Sequence, residues 1–355
     1  MAAYLRKRSP TSRRTRPPQP PWARWTQERL LDLRMCELKL RIEGSPLEPR
    51  IQALELELDR CGIRFRPHFW LPDEWFSPAG IPGIALPFYL AHARLTRLER
   101  NQMLEVEGGS KVWCMRILRH ETGHAIDHAF RLHRRRRWQQ LFGRSSLPYP
   151  VVYRPRPASR GYVHHLDSWY AQSHPDEDFA ETFAVWMSTR RRIWESRYKG
   201  WPALRKLEYV DQLMTEIAPL KPPVRTRRQL DPISQLRRTL RQHYEDRRAR
   251  YGINDPHLYD RELLALFSTD KRHARRQPAS RFLLAERASL LEPVARWTGQ
   301  TPYTVDQILR EMISRCRKLR LRVGTRPAET RRQFLVILTV QTMNNLQRGR
   351  LRWSL

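Results

Sequence analysis

The stretch Leu118–Asp127, LRHETGHAID, constrains the fold of this chain more than any other. It holds His120, Glu121 and His124, and residues four apart on an α-helix lie on the same face. Both histidines can therefore direct a ring nitrogen at one metal ion, with Glu121 beside that ion. The surrounding run, residues 111–132, has apolar residues at helical spacing and contains no proline. These features predict a buried helix that carries two metal ligands; a structural helix with two surface histidines is the alternative interpretation.

A second segment, residues 168–186, SWYAQSHPDEDFAETFAVW, is typical of another helix. Ser173 and Pro175 mark its start, because these residue types favour helix N-termini. Glu177 and Glu181 then lie four residues apart on one face, where two carboxylates repel each other unless a cation lies between them. A carboxylate commonly completes a zinc site that already has two histidines. We therefore expect Glu177 to be the third ligand and Glu181 to orient a ligand histidine from behind.

Five further histidines are rival ligands for the third position. A single histidine in a loop is more often solvated than bound to a metal, so they are weaker candidates than Glu177. They are His128, His133, His164, His165 and His174.

HETGHAID together with YAQSHPDEDFAETFAVW resembles the zinc-binding metallopeptidases of the gluzincin group and is similar to the catalytic region of anthrax lethal factor. The resemblance implies a zincin-like catalytic domain in which the first Glu of an ExxxE pair is the third ligand, here Glu177, and Glu181 orients a histidine. It also implies that Tyr170, seven residues before Glu177, assists at the oxyanion. Asp127, three residues after the second histidine, is implied as a supporting residue behind the ligands. The specific motifs cover residues 118–127 and 170–186, and a looser resemblance covers residues 30–219.

These observations predict a zinc-dependent metallopeptidase that binds one Zn²⁺ and hydrolyses protein or peptide substrates. A bound zinc ion lowers the pKa of its water to about 7. Glu121, the general base, would accept the proton of that water and pass it to the leaving amine. The alternative is a zinc-stabilised, non-catalytic binding protein that is recruited to nucleic acid through its basic C-terminal region. An intact Glu121 argues against that alternative.

The charge of the chain also restricts its partners. Its 355 residues carry a formal net charge of +31, and more than half of that charge lies after residue 220. So large an excess favours an anionic partner such as nucleic acid, bound through the C-terminal region. A solvated, Arg-rich surface without such a partner is an equally good interpretation.

The pattern of proline, charge and apolar residues divides the chain into four segments. We expect a disordered basic tail over residues 1–21, a catalytic domain over 22–219, a linker over 220–232 and a basic helical domain over 233–355. The predicted fold class is α+β and mostly helical, with a small mixed sheet just before the first metal helix. Within that sheet, Ile84–Leu90 is the candidate edge strand for pairing with substrate, or else a buried strand.

The cysteine pattern and the lack of long apolar runs predict the cellular compartment of the protein. Four scattered cysteines without a CxxC pair suggest a reducing environment. The Arg- and Pro-rich start lacks the apolar core of a secretory signal, and no run approaches the roughly 20 apolar residues of a membrane span. We therefore predict a soluble, cytoplasmic protein.

Overall fold

The described part of the chain is mostly helical, with two very small sheets, and this confirms the predicted α+β class. The computed structural model describes residues 19–103, 105–150, 159–167, 169–250 and 259–347, together with Tyr153 and Arg156. All but the last three residues of the predicted basic tail lie outside this part of the chain. The α-helices within it are α1 (Gln27–Leu31), α2 (Glu48–Arg60), α3 (Ala93–Met103), α4 (Lys111–Phe130), α5 (Arg136–Phe142), α6 (Pro175–Ser188), α7 (Arg191–Arg197), α8 (Ala203–Ile217), α9 (Leu240–Arg250), α10 (Asp260–Leu266), α11 (Ala279–Ala285), α12 (Arg287–Thr298), α13 (Pro302–Lys318) and α14 (Pro327–Gln347).

Short 3₁₀ helices connect several of these elements. They are Pro21–Arg24, Met35–Leu38, Phe88–Ala91, Leu132–Arg134, Tyr170–Gln172, Ile233–Gln235 and Lys271–His273. None of the helices in the described ranges is long and apolar enough to cross a membrane.

The sheet that precedes α4 has two parallel strands, β1 (His68–Trp70) and β2 (Gly83–Ala85). An isolated antiparallel bridge from Phe76 to Ala85 adds a third segment on the other side of β2, so the pairing is mixed, as predicted. A separate antiparallel pair, β3 (Phe267–Ser268) and β4 (Arg322–Val323), lies in the C-terminal part of the chain.

The prediction that Ile84–Leu90 is a sheet edge is wrong. The strand ends at Ala85, and a 3₁₀ helix begins at Phe88, after a proline that has no N–H to donate to a ladder. Ala85 N–H donates to the carbonyl of Phe76, while Leu86 N–H donates to the carbonyl of Trp70, both at 2.9 Å. Because hydrogen bonds leave this segment toward both neighbours, and its residues are buried, it is the buried strand of the alternative interpretation.

The buried apolar residues form two large cores. The first comprises residues between Trp22 and Tyr244 together with Tyr303 of α13, and it surrounds α4; the second extends from Tyr259 to Leu338. The sequence assigns residues 233–250 to a C-terminal domain, but Leu240 and Tyr244 of α9 are buried in the first core. Tyr244 also donates a 2.8 Å hydrogen bond to the buried Glu99 of α3. Division into two domains stays a prediction, and these contacts favour a boundary after α9 rather than before it.

Helices α4 and α6 approach each other closely at Gly123. A Cβ atom added at this glycine would lie 2.8 Å from Cα of Ala180, which is shorter than real Cβ contacts. Glycine at this position therefore lets the backbones of the two helices pack directly against each other. This close packing brings the first turn of α6 against the middle of α4, where the metal motif lies.

Candidate metal centre

Helices α4 and α6 bring three metal-ligating side chains together. Nε2 of His120 lies 2.9 Å from Oε2 of Glu177, and Nε2 of His124 lies 3.1 Å from the same oxygen. The two histidine nitrogens are 3.1 Å apart. Ligands of a tetrahedral zinc ion, with bonds of about 2.0–2.1 Å, lie roughly 3.3 Å from one another. The three donor atoms therefore have the spacing and the chemistry that a zinc ion requires, and a tetrahedral ion would have one position left open.

The ends of each helix explain why the ligands meet. Ser110 caps α4, since its side chain accepts a 3.1 Å hydrogen bond from Trp113 N–H. Pro175 begins α6 as predicted, and His174 is its N-cap, with Nδ1 accepting from Asp176 N–H. Glu177 consequently lies in the first turn of α6, close to the helix N-terminus, where a carboxylate is stabilised by the helix dipole.

Glu181 lies directly behind His120, on the side of its Nδ1. Its Oε1 is 2.9 Å from Nδ1 of His120, and its Oε2 accepts a 2.8 Å hydrogen bond from Leu166 N–H. Burial raises the pKa of Glu181, but the hydrogen bond and charge of His120 outweigh it and hold the pKa below its usual value. An ionised Glu181 accepts the Nδ1 proton of His120, which leaves Nε2 free to bind a metal.

Glu177 is also held as an anion. Burial opposes ionisation, but His124 and His120 outweigh it and hold the pKa of Glu177 well below its usual value. The oxygen that faces away from the histidines, Oε1, accepts a 2.8 Å hydrogen bond from the hydroxyl of Tyr149. Sequence analysis missed Tyr149 because it lies in an irregular Pro- and Arg-rich insert. The only signal there is a tyrosine among residues with no helical or strand pattern.

Glu121 and Tyr170 lie on the open side of this cluster and line the same pocket. Glu121 is almost fully buried, with 8% of its surface exposed. The ring of Tyr170 lies 5.5 Å from that of His120, measured between centroids. Burial and the nearby charge of Glu177 hold the pKa of Tyr170 well above its usual value, so its hydroxyl remains a hydrogen-bond donor at neutral pH.

Asp127 does not contact the two ligand histidines through any described hydrogen bond or ion pair. Its carboxylate instead accepts from His133 N–H at 2.7 Å and lies 2.6 Å from Nδ1 of His133. The reason is the helix end: Arg131 adopts a left-handed conformation, with φ of 53°, and turns the chain back over Asp127. No described contact therefore supports the role behind the ligands that the resemblance implies for Asp127.

None of the rival histidines belongs to the group that His120, His124 and Glu177 form among the described residues. His165 Nε2 lies 2.9 Å from the carbonyl of Arg116, and both ring nitrogens of His174 are used in capping α6 and in contacting Leu147. His164 is outside the metal-ligating groups formed by the described residues, whereas His128 and His133 form a separate group with Asp127.

Residues 113–223 match a family described as "Putative zinc-binding metallo-peptidase". The matched region contains α4 and α6 with all three ligands, and zinc is the metal that the family description names. The match ends before the second core begins. No curated protein and no solved structure matches the chain. The finer likeness to the catalytic region of lethal factor stays a prediction.

Proposed function

We propose that this protein is a zinc-dependent metallopeptidase. The observation that carries the proposal is the convergence of His120, His124 and Glu177 on one point, with Glu121 beside them in an open pocket. When bound there, Zn²⁺ supplies an electrophile that polarises a carbonyl group and makes water more acidic.

The protein side chains around this point have separate roles. Glu121 accepts the proton of the attacking water and passes it to the amine of the departing peptide. Glu121 can do this because it is next to a ligand in sequence and borders the pocket, while its carboxylate is not a ligand. Glu181 fixes the ring orientation of His120, and Tyr149 fixes the carboxylate of Glu177.

Tyr170 is the donor that we assign to the oxyanion. Its ring packs beside His120, and its hydroxyl keeps its proton for the reasons given above. A neutral phenol placed at the point where negative charge develops stabilises the tetrahedral state more than the planar carbonyl. Tyr170 would therefore increase the rate of hydrolysis without contributing to zinc affinity.

The pocket is open enough for an extended peptide. On the side of β2, its wall is the segment that includes Trp75, Phe76, Ser77 and Ala79. Ser77 anchors this wall to α4, since its hydroxyl donates a 3.2 Å hydrogen bond to the carbonyl of Glu121. With Ile84–Leu90 buried, residues 75–79 are the segment along which we place the substrate backbone.

Metal analysis combined with a hydrolysis assay tests this proposal. The purified full chain should contain zinc and hydrolyse casein, lose both after treatment with a strong chelator, and recover hydrolysis when Zn²⁺ is restored. A protein that holds zinc through Glu177 but never hydrolyses casein or its own chain would instead favour the zinc-stabilised binding protein. A protein with no affinity for zinc would reject both.

A further inference from the structure

A second group of metal-ligating side chains lies at the C-terminal end of α4. Asp127 and His128 come from the last turns of the helix, and His133 comes from the 3₁₀ helix that follows. Oδ2 of Asp127 lies 2.6 Å from Nδ1 of His133 and 3.9 Å from Nδ1 of His128. One donor atom from each of the three residues lies within 4.8 Å of the other two.

The backbone holds this group in place without help from a metal. Arg131, in its left-handed conformation, donates its N–H to the carbonyl of Asp127. His133 then donates its own N–H to Oδ1 of Asp127 at 2.7 Å, so two hydrogen bonds to Asp127 stabilise the turn. A ligand group that is already ordered loses little conformational entropy when an ion binds.

The described hydrogen bonds do not explain why the ring of His128 is buried. Its side chain is 12% exposed, and its Nδ1 is buried with no hydrogen-bond partner among the described residues. Buried polar atoms almost always have a partner, and an unseen ion is one recognised reason for an exception. A neutral imidazole has a ring nitrogen with a lone pair that can bind a metal.

Asp176 of α6 has another buried polar atom without a described hydrogen-bond partner. Its Oδ1 is buried without a hydrogen-bond partner in the described structure, although Oδ2 accepts from Ser145 at 3.1 Å. His128 and Asp176 line the same pocket.

We propose that Asp127, His128 and His133 bind a second divalent transition-metal ion, such as Zn²⁺. Two imidazole nitrogens and one carboxylate oxygen form a donor set that suits Zn²⁺, whereas Mg²⁺ and Ca²⁺ prefer oxygen alone. The ion would replace the contact between Asp127 and His133 and satisfy Nδ1 of His128.

The second ion would lie near the first but would be separate from it. His124 and His128 are one helical turn apart, which is about 6 Å along the axis. His124, His128 and Asp176 all line one pocket, so the site is open to ions from solution. The inference concerns binding alone and does not depend on whether the protein hydrolyses peptides.

Counting zinc equivalents tests the inference. The full chain, loaded with Zn²⁺ and dialysed against low-micromolar free Zn²⁺, should retain two equivalents by elemental analysis. His128→Leu, which keeps the side-chain volume, and Asp127→Asn should each retain one. Glu177→Ala should also retain one, because it empties only the first site. The matched control, His164→Gln, changes a histidine outside both groups and should retain two.

Other zinc counts would contradict the second site. If wild type retains one equivalent, or if the second equivalent survives both His128→Leu and Asp127→Asn, the second site does not exist. Circular dichroism must show that each variant is folded, and His133→Gln replaces either variant that is not. Loss of both equivalents in a folded Glu177→Ala variant would show that the ions share one site and would overturn the inference.

Discussion

Helix α4 carries two groups built from the same residue types, and they differ in how their ligands are supported. In the group of His120, His124 and Glu177, ligands from two packed helices meet in a buried position. Other side chains form hydrogen bonds with the ligand atoms that face away from the metal position. In the group of Asp127, His128 and His133, the ligands come from one helix end and the turn after it. His133 there is 25% exposed.

This difference indicates that the packing of a second helix, rather than the histidine spacing alone, distinguishes the first group from the second. The i,i+4 spacing of His120 and His124 recurs one turn later between His124 and His128. Only at the first pair does α6, packed against Gly123, deliver a ligand and a supporting carboxylate from a separate element. Outer partners of metal ligands typically change metal affinity by about 10- to 100-fold. We therefore expect the first group to bind zinc much more tightly than the second.

The largest effect should come from Glu177→Ala. This substitution removes the only ligand that α6 supplies, so the first site should lose its zinc and hydrolysis should disappear. Titration of the zinc-loaded variant with a chromogenic chelator measures the loss. Tightly held zinc in Glu177→Ala that disappears after substitution of His164, His165 or His174 would contradict the assignment of the third ligand.

Tyr170→Phe should have the next largest effect, on rate alone. Loss of one oxyanion donor lowers kcat by roughly 100- to 1,000-fold, while zinc affinity should not change because Tyr170 is not a ligand. Steady-state hydrolysis of a peptide, with zinc content measured on the same sample, separates the two quantities. Tyr149→Phe is the matched control, because it removes a hydroxyl that contacts Glu177 rather than the substrate. Equal kcat losses in both variants would argue against a special role for Tyr170.

Glu181→Ala should have the smallest effect of the three. It leaves all three ligands in place but removes the acceptor of the Nδ1 proton of His120, so zinc affinity at the first site should fall about 10- to 100-fold. The second site should be unchanged. Glu216→Ala, which removes a carboxylate far more exposed than Glu181, is the control. Unchanged zinc affinity in Glu181→Ala would show that His120 is oriented by packing alone.

The sequence predicted the parts of this structure that depend on local spacing. The helix that carries His120 and His124 and the start of α6 at Pro175 both follow from residues close together in the chain. The sequence could not show that α9 would pack on the first core, because that contact joins residues about 145 positions apart. It also gave no indication of the contact between Tyr149 and Glu177 or of the contact between Asp127 and His133, because both depend on irregular backbone.

The excess positive charge of the C-terminal region is the basis of a separate prediction. Binding of nucleic acid is still a prediction that rests on composition alone, because the family match ends at residue 223, before the second core begins. The structure does change how that prediction should be tested. A truncation intended to remove the basic region must begin after α9, since Leu240 and Tyr244 belong to the first core.

Glu121→Gln tests the central claim most directly. The amide has nearly the shape of the carboxylate but cannot accept a proton, and Glu121 is not a ligand. We predict that the variant keeps the zinc stoichiometry of wild type and loses hydrolysis by roughly 100- to 10,000-fold, the usual contribution of a general base. Zinc analysis and casein hydrolysis on the same preparation measure both. Wild-type turnover in a zinc-loaded Glu121→Gln protein would contradict the claim that this helix carries the catalytic base of a peptidase.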